Sequence, residues 1–121
     1  MNPDKKFDLE DRLVDFSIMV MDIVENLPNT KAGNTIGNQL IRCGISPALN
    51  YGEAQAAESR SDFIHKMKVV HKELKEVRVC MKIIERKPLI INKIMTDKMI
   101  KETQELVQIF GKSIQTAVSN K

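Results

Sequence analysis

The stretch Asp62–Arg86, DFIHKMKVVHKELKEVRVCMKIIER, decides the fold. Phe63, Met67, Val70, Leu74, Val77, Met81 and Ile84 follow one another at steps of four and three. That spacing keeps apolar side chains on one face of an α-helix, and a seam this long needs other helices to pack against. Ser59 or Ser61 can cap its start, with Asp62 in the first turn. Lys87-Pro88 ends it, because a proline cannot carry the helical hydrogen bonding forward.

The flanking sequence repeats the pattern. A first helix is predicted from about Asp8 to Asn26, with Leu9, Leu13, Phe16, Val20, Ile23 and Leu27 on its apolar face. Asp8, Glu10 and Asp11 suit the positive end of its dipole, and Leu27-Pro28-Asn29 stops it. A second helix runs from about Lys31 to Ala57, with Ile36, Leu40, Cys43 and Ile45 opening its apolar face. Pro47 lies inside it, so a kink near Gly44 to Pro47 is expected. A fourth helix is predicted from about Thr96 to Ser119, its seam formed by Met99, Thr103, Leu106, Phe110, Ile114 and Ala117, with Val107 beside it. Gly111 weakens that helix locally. Short connections make an antiparallel up-down four-helix bundle the expected all-α fold, with residues 1–121 as one domain.

Composition agrees. Of 121 residues, 42% are hydrophobic but only 4% aromatic, so the core must be built from Leu, Ile, Val and Met. Such a core suits helix on helix better than a sandwich of strands. Cys43 and Cys80 both fall in helix interiors and read as small buried hydrophobes, which fits a reducing compartment. The segment Met1–Asp8 is polar and no apolar run reaches membrane-span length, so a cytoplasmic location is expected.

The net charge of +3 is unevenly placed. Residues 1–30 carry three basic and seven acidic side chains, net −4, whereas residues 64–88 carry eight and three, net +5. Lys68, Lys72, Lys75, Lys82 and Arg86 step by four, three, seven and four, which places them on one stripe of the third helix, with Lys66 and Arg78 flanking it. Such a ridge can face phosphates, but on a lone helix it is more often a solvated surface whose lysine stems cover apolar atoms, and charge by itself does not decide between them. Lys68, Lys72, Lys75, Arg78, Lys82 and Arg86 are the candidate nucleic-acid contacts. The stripe carries no aromatic residues for base stacking, so the expectation is backbone binding with little sequence readout.

Catalytic patterns are missing from the sequence. His65 and His71 lie six residues apart, about 600° around a helix, and point to different sides. Asp62 and His65 supply half of a di-iron motif, with no second copy. Ser46, Ser59, Ser61 and Ser113 lack a matching base, and residues 32–37 hold two glycines without the Lys-Ser/Thr of a phosphate loop. Neither enzyme activity, nor a metal, nor a cofactor is expected. Within the second helix, Arg42, Ser46, Asn50 and Glu53 form a polar line, read as a hydrogen-bond network that fixes this helix against its neighbours.

The run Gln39-Leu40-x-Arg42, then Ile45-Ser46-Pro47-Ala48-x-Asn50-x-x-Glu53, followed by Phe63-x-x-x-Met67 and Glu76, resembles the 23S rRNA intervening-sequence proteins. The related accessory variability determinants of diversity-generating retroelements share it, and Leu9, Arg12 and Phe16 extend the likeness to the first helix. The chain departs from the pattern at Ala54, where glycine is usual, and at Val70 and Glu73, where small residues are usual. The resemblance implies an up-down bundle assembled as a homopentamer, nucleic-acid binding through basic surface, and no catalysis. In the retroelement relatives it also implies partnership with a reverse transcriptase. The reading is thus a non-catalytic oligomeric nucleic-acid-binding protein, RNA favoured, with a protein-interaction scaffold as the alternative.

Overall fold

The computed structural model describes residues 8–120. It contains four helices, α1 (Leu9–Glu25), α2 (Lys31–Gln55), α3 (Arg60–Arg86) and α4 (Lys93–Ser119). Each begins at a side chain that accepts a hydrogen bond from a first-turn amide. Asp8 accepts from Asp11, Thr30 from Gly33, Ser59 from Asp62 and Asn92 from Met95. The fourth helix starts three residues before the sequence expectation, at Lys93 and not Thr96, and the second stops two residues earlier, at Gln55 and not Ala57. α2 runs unbroken through Pro47, which is buried.

Contacts between elements fix the topology. On α2, Gly44 lies against Val20 and Gly37 against Val24 and Leu27 at the end of α1. Lys66 of α3 pairs with Glu53, and Arg42 with Glu76. Arg60, at the start of α3, donates to the carbonyl of Ala117 near the end of α4. Arg12, near the start of α1, is bidentate on Glu102 of α4, at 2.9 and 2.8 Å. Across consecutive helices the paired residue numbers run in opposite directions, so neighbours are antiparallel and the chain goes up, down, up, down.

The predicted seams meet at the centre. Leu13, Phe16, Val20, Leu40, Leu74, Met81, Leu106 and Phe110 are fully buried. Tyr51 and Phe110 meet edge to face across the core, centroids 5.6 Å apart. Buried hydroxyls are satisfied locally: Thr103 Oγ1 donates to the Met99 carbonyl at 2.7 Å, and Ser17 Oγ to the carbonyls of Leu13 and Gly44. The two sides of α1 differ. Against α2 the backbones approach closely at Gly44, whereas against α4 the side chains of Met19, Ile23, Met95 and Met99 border a cavity of about 170 Å³.

Candidate nucleic-acid interface

α3 presents opposite faces to the core and to solvent. With Met67, Val70, Leu74, Val77, Met81 and Ile84 turned inward, the positions half a turn away fall outward. Lys68, Lys72, Lys75, Lys82 and Arg86 are all exposed there, and among the described residues none of them is in an ion pair. Arg78 is not exposed with them but half-buried, and its Nε is buried without a hydrogen-bond partner. By helical rotation it lies about 40° from Lys82, at the edge of the row on the α4 side. Lys66 is taken up by Glu53 at 2.7 Å, a contact that raises its pKa.

Val79, 53% exposed, and Ile83, 49% exposed, interrupt the cations. With Ile36 and Gln39 of α2 and with Cys80, they line an open trough of about 530 Å³ whose rim carries Lys68, Lys72 and Lys75. Ile36 and Gln39 also belong to a second open hollow beside Lys31 and Thr35, so the surface runs on along α2. The α2 wall is held by Glu76, whose Oε1 accepts from Gln39 Nε2 at 3.3 Å and from Arg42 Nη2 at 3.2 Å.

The polar line on α2 is split among three partners. Arg42 reaches Glu76 and stands 3.7 Å from Glu73 Oε2; Glu53 holds Lys66. Asn50 turns back on its own helix, donating to Ser46 Oγ at 2.8 Å and to the Ser46 carbonyl at 3.1 Å. Glu73 is only 6% exposed, and its Oε2 accepts no hydrogen bond. The sequence places it merely near the basic stripe; its burial follows from a position on the α2 side of α3 that only the packing reveals.

Below this cluster Cys43 and Cys80 are both buried and free. Contact with the Cys80 thiol, and then burial, push the Cys43 pKa far up. His71 also lines the trough and lies against α4 at Gly111. Burial first, then the charge of Lys75, lower its pKa, and Arg78 adds to this, while the Val107 carbonyl acts in the opposite sense. No group of three or more His, Cys, Asp or Glu among the described residues could hold a metal. No described helix is long and apolar enough to cross a membrane.

A second surface lies across the bundle. Val14, Ile18 and Met21 form an exposed stripe on α1. Ile41, Ile45 and Leu49 lie on α2, on the same outer side of the seam where Ser17 meets Gly44; Leu49 is 64% exposed. Apolar spacing alone does not separate these positions from the core faces.

The family of the 23S rRNA-intervening sequence protein matches residues 5–112. The chain belongs to this family. Among solved structures, this family member is similar to a protein with unknown function from the S23 ribosomal protein family of Bacteroides thetaiotaomicron VPI-5482. The two share 24% identity and a TM-score of 0.79, over 87% of this chain and 96% of that one, a likeness that establishes the bundle fold alone. No curated protein matches the family member.

Proposed function

We propose that this protein is a non-catalytic, oligomeric nucleic-acid-binding protein that holds RNA by its phosphates on the outer face of α3. The observation that carries the reading is the row of Lys68, Lys72, Lys75, Lys82 and Arg86, exposed on one rigid helix and unpaired among the described residues. Lysine and arginine held in a fixed row release condensed counterions when phosphates replace them, which gives affinity without sequence readout. RNA is favoured because the family takes its description from a ribosomal RNA intervening sequence. Arg78 contributes less, since its guanidinium is partly withdrawn toward α4.

One stripe of five charges is a modest footprint, and assembly multiplies it. The exposed apolar stripe of α1, continued by Leu49 of α2, is the surface proposed for self-association, and the family resemblance implies a pentamer. A cytoplasmic location belongs to this reading and is supported by the two free, buried cysteines, which suit a reducing compartment.

Salt titration of RNA binding tests the reading. Affinity is expected at low salt, falling steeply as salt rises, with each lost phosphate contact flattening the log–log slope by roughly 0.7 to 0.9. Changing Lys72, Lys75 and Lys82 together to Glu abolishes binding. Absence of affinity at low salt, or affinity indifferent to the triple change, refutes it. The second reading, a scaffold such as a partner subunit of a reverse transcriptase, rests on the same α1–α2 stripe. Stable protein partners co-purifying without nucleic acid would favour it.

A further inference from the structure

A surface made only to hold phosphates would carry cations over polar ground. The α2–α3 trough does not. Ile36, Val79 and Ile83 give it an aliphatic lining, and Lys68, Lys72 and Lys75 line the same trough. Half-exposed Val and Ile on a charged helix face are costly to leave in water, and covering them is favourable in proportion to the area removed. The covering group must be flat or apolar on one side and anionic on the other. We propose that the trough takes unpaired nucleotides, with bases lying on Ile36, Val79 and Ile83 and phosphates on Lys68, Lys72 and Lys75, so that the RNA bound is single-stranded. This inference rests on the nucleic-acid reading above and specifies the ligand of the same face.

A duplex fits the trough poorly. Its bases are stacked inward, and the deep, narrow major groove of A-form RNA admits no side chain, so a duplex reaches the lysines and leaves the aliphatic lining uncovered. An unpaired strand offers base faces that can turn away from the backbone. Lys68, Lys72 and Lys75 rise along α3 at intervals of about 6 and 4.5 Å, and Val79 and Ile83 follow about 6 and 12 Å beyond Lys75, so cations and apolar positions succeed one another along one face, as an extended strand laid along α3 would meet them. Glu76 gives the trough an acceptor. Held by Gln39 and Arg42, its carboxylate can accept a hydrogen bond from a base amino or imino group. The lining is aliphatic, so each base gains less than on an aromatic platform and the site tolerates any sequence.

The test compares a short oligouridine with an RNA duplex of equal length, each labelled and titrated with the intact protein at low salt. The single strand is expected to bind about 10-fold more tightly than the duplex, from the area of Val79 and Ile83 it covers. The double substitution Val79→Ser with Ile83→Ser should erase that preference, leaving duplex affinity and the salt slope unchanged, while Lys72→Gln weakens both ligands and flattens both slopes. Both apolar positions are half-exposed, so the variant keeps its fold, checked by its melting temperature. Duplex binding equal to or tighter than single-strand binding, or a preference that survives the serine variant, overturns the trough assignment and leaves the phosphate reading standing. Failure of both ligands to bind overturns the two together.

Discussion

Replacing Gly44 by alanine puts the packing of α1 on α2 to a quantitative test. A Cβ at this position would lie 2.5 and 2.6 Å from the two γ-carbons of Val20 and 3.0 Å from its Cβ. Comfortable carbon–carbon contact needs about 3.5 to 4.0 Å, so the helices must part by about 1 Å or Val20 must move. Val20 has nowhere to go: it is fully buried, and a β-branched side chain in a helix has essentially one χ1 well. Overpacking of this kind costs about 1–3 kcal/mol. Separation of the seam also stretches the 3.4 Å hydrogen bond from Ser17 Oγ to the Gly44 carbonyl, about 1 kcal/mol more. Against this, alanine is favoured over glycine inside a helix by about 1 kcal/mol. The net is a loss of about 1–3 kcal/mol, a drop in melting temperature of about 4–12 °C for a chain of this size. At Gly52, in the same helix, an added Cβ would meet nothing within 4 Å, so Gly52→Ala keeps the propensity gain and melts about 4 °C higher. Thermal denaturation followed by far-UV circular dichroism, at one fixed protein concentration, reads both. Adding Val20→Ala to Gly44→Ala should recover stability non-additively, by about 1 kcal/mol or more. A Gly44→Ala protein that melts at or above the parent would refute the reasoning.

Three further outcomes are expected. The lowered pKa of His71 means that the folded chain prefers the neutral ring, so the unfolded chain takes up its proton first; this contribution to stability is complete above about pH 6.5 and is lost as pH falls through that value. His71→Gln should therefore lose less melting temperature than the parent between about pH 7.5 and 5.5, and equal losses would contradict the burial argument. Cys43, fully buried and with its thiolate disfavoured by Cys80, should resist iodoacetamide at neutral pH on the timescale in which the denatured chain is fully alkylated, as mass spectrometry of the labelled peptides would show. A double-mutant cycle with Arg12→Gln and Glu102→Gln should return a coupling of about 1 kcal/mol, bidentate geometry being offset by partial exposure, and it should shrink as salt is added.

What can be read in advance depends on whether one helix suffices to reveal it. The seam from Phe63 to Ile84 is a property of α3 alone, and the structure buries Met67 through Ile84 as the spacing requires. The start of α4 is harder to place because Ile94 points outward and breaks the apolar rhythm; the cap at Asn92 is the better signal. The outward row of lysines is legible for the same single-helix reason, whereas the partial burial of Arg78 at its edge is set by the neighbouring helix. Features made by two helices are not legible. The trough needs Ile36 of α2 beside Val79 and Ile83 of α3, and the burial of Glu73 needs the closeness of α2, neither of which any one helix encodes. The polar line of α2 shows in its spacing, but its partners Glu73, Glu76 and Lys66 are set by which face of α3 turns toward it.

The contrast between the two flanks of α1 has a consequence for how the bundle breathes. Glycine against valine is an unforgiving joint, while thioether chains around a small void can rearrange at little cost. α1 therefore behaves as a door hung on α2 and latched to α4 by Arg12. Fluctuations that admit solvent to the interior begin at the latch, and amide exchange should spread from the edges of α1 and α4 before it touches the hinge.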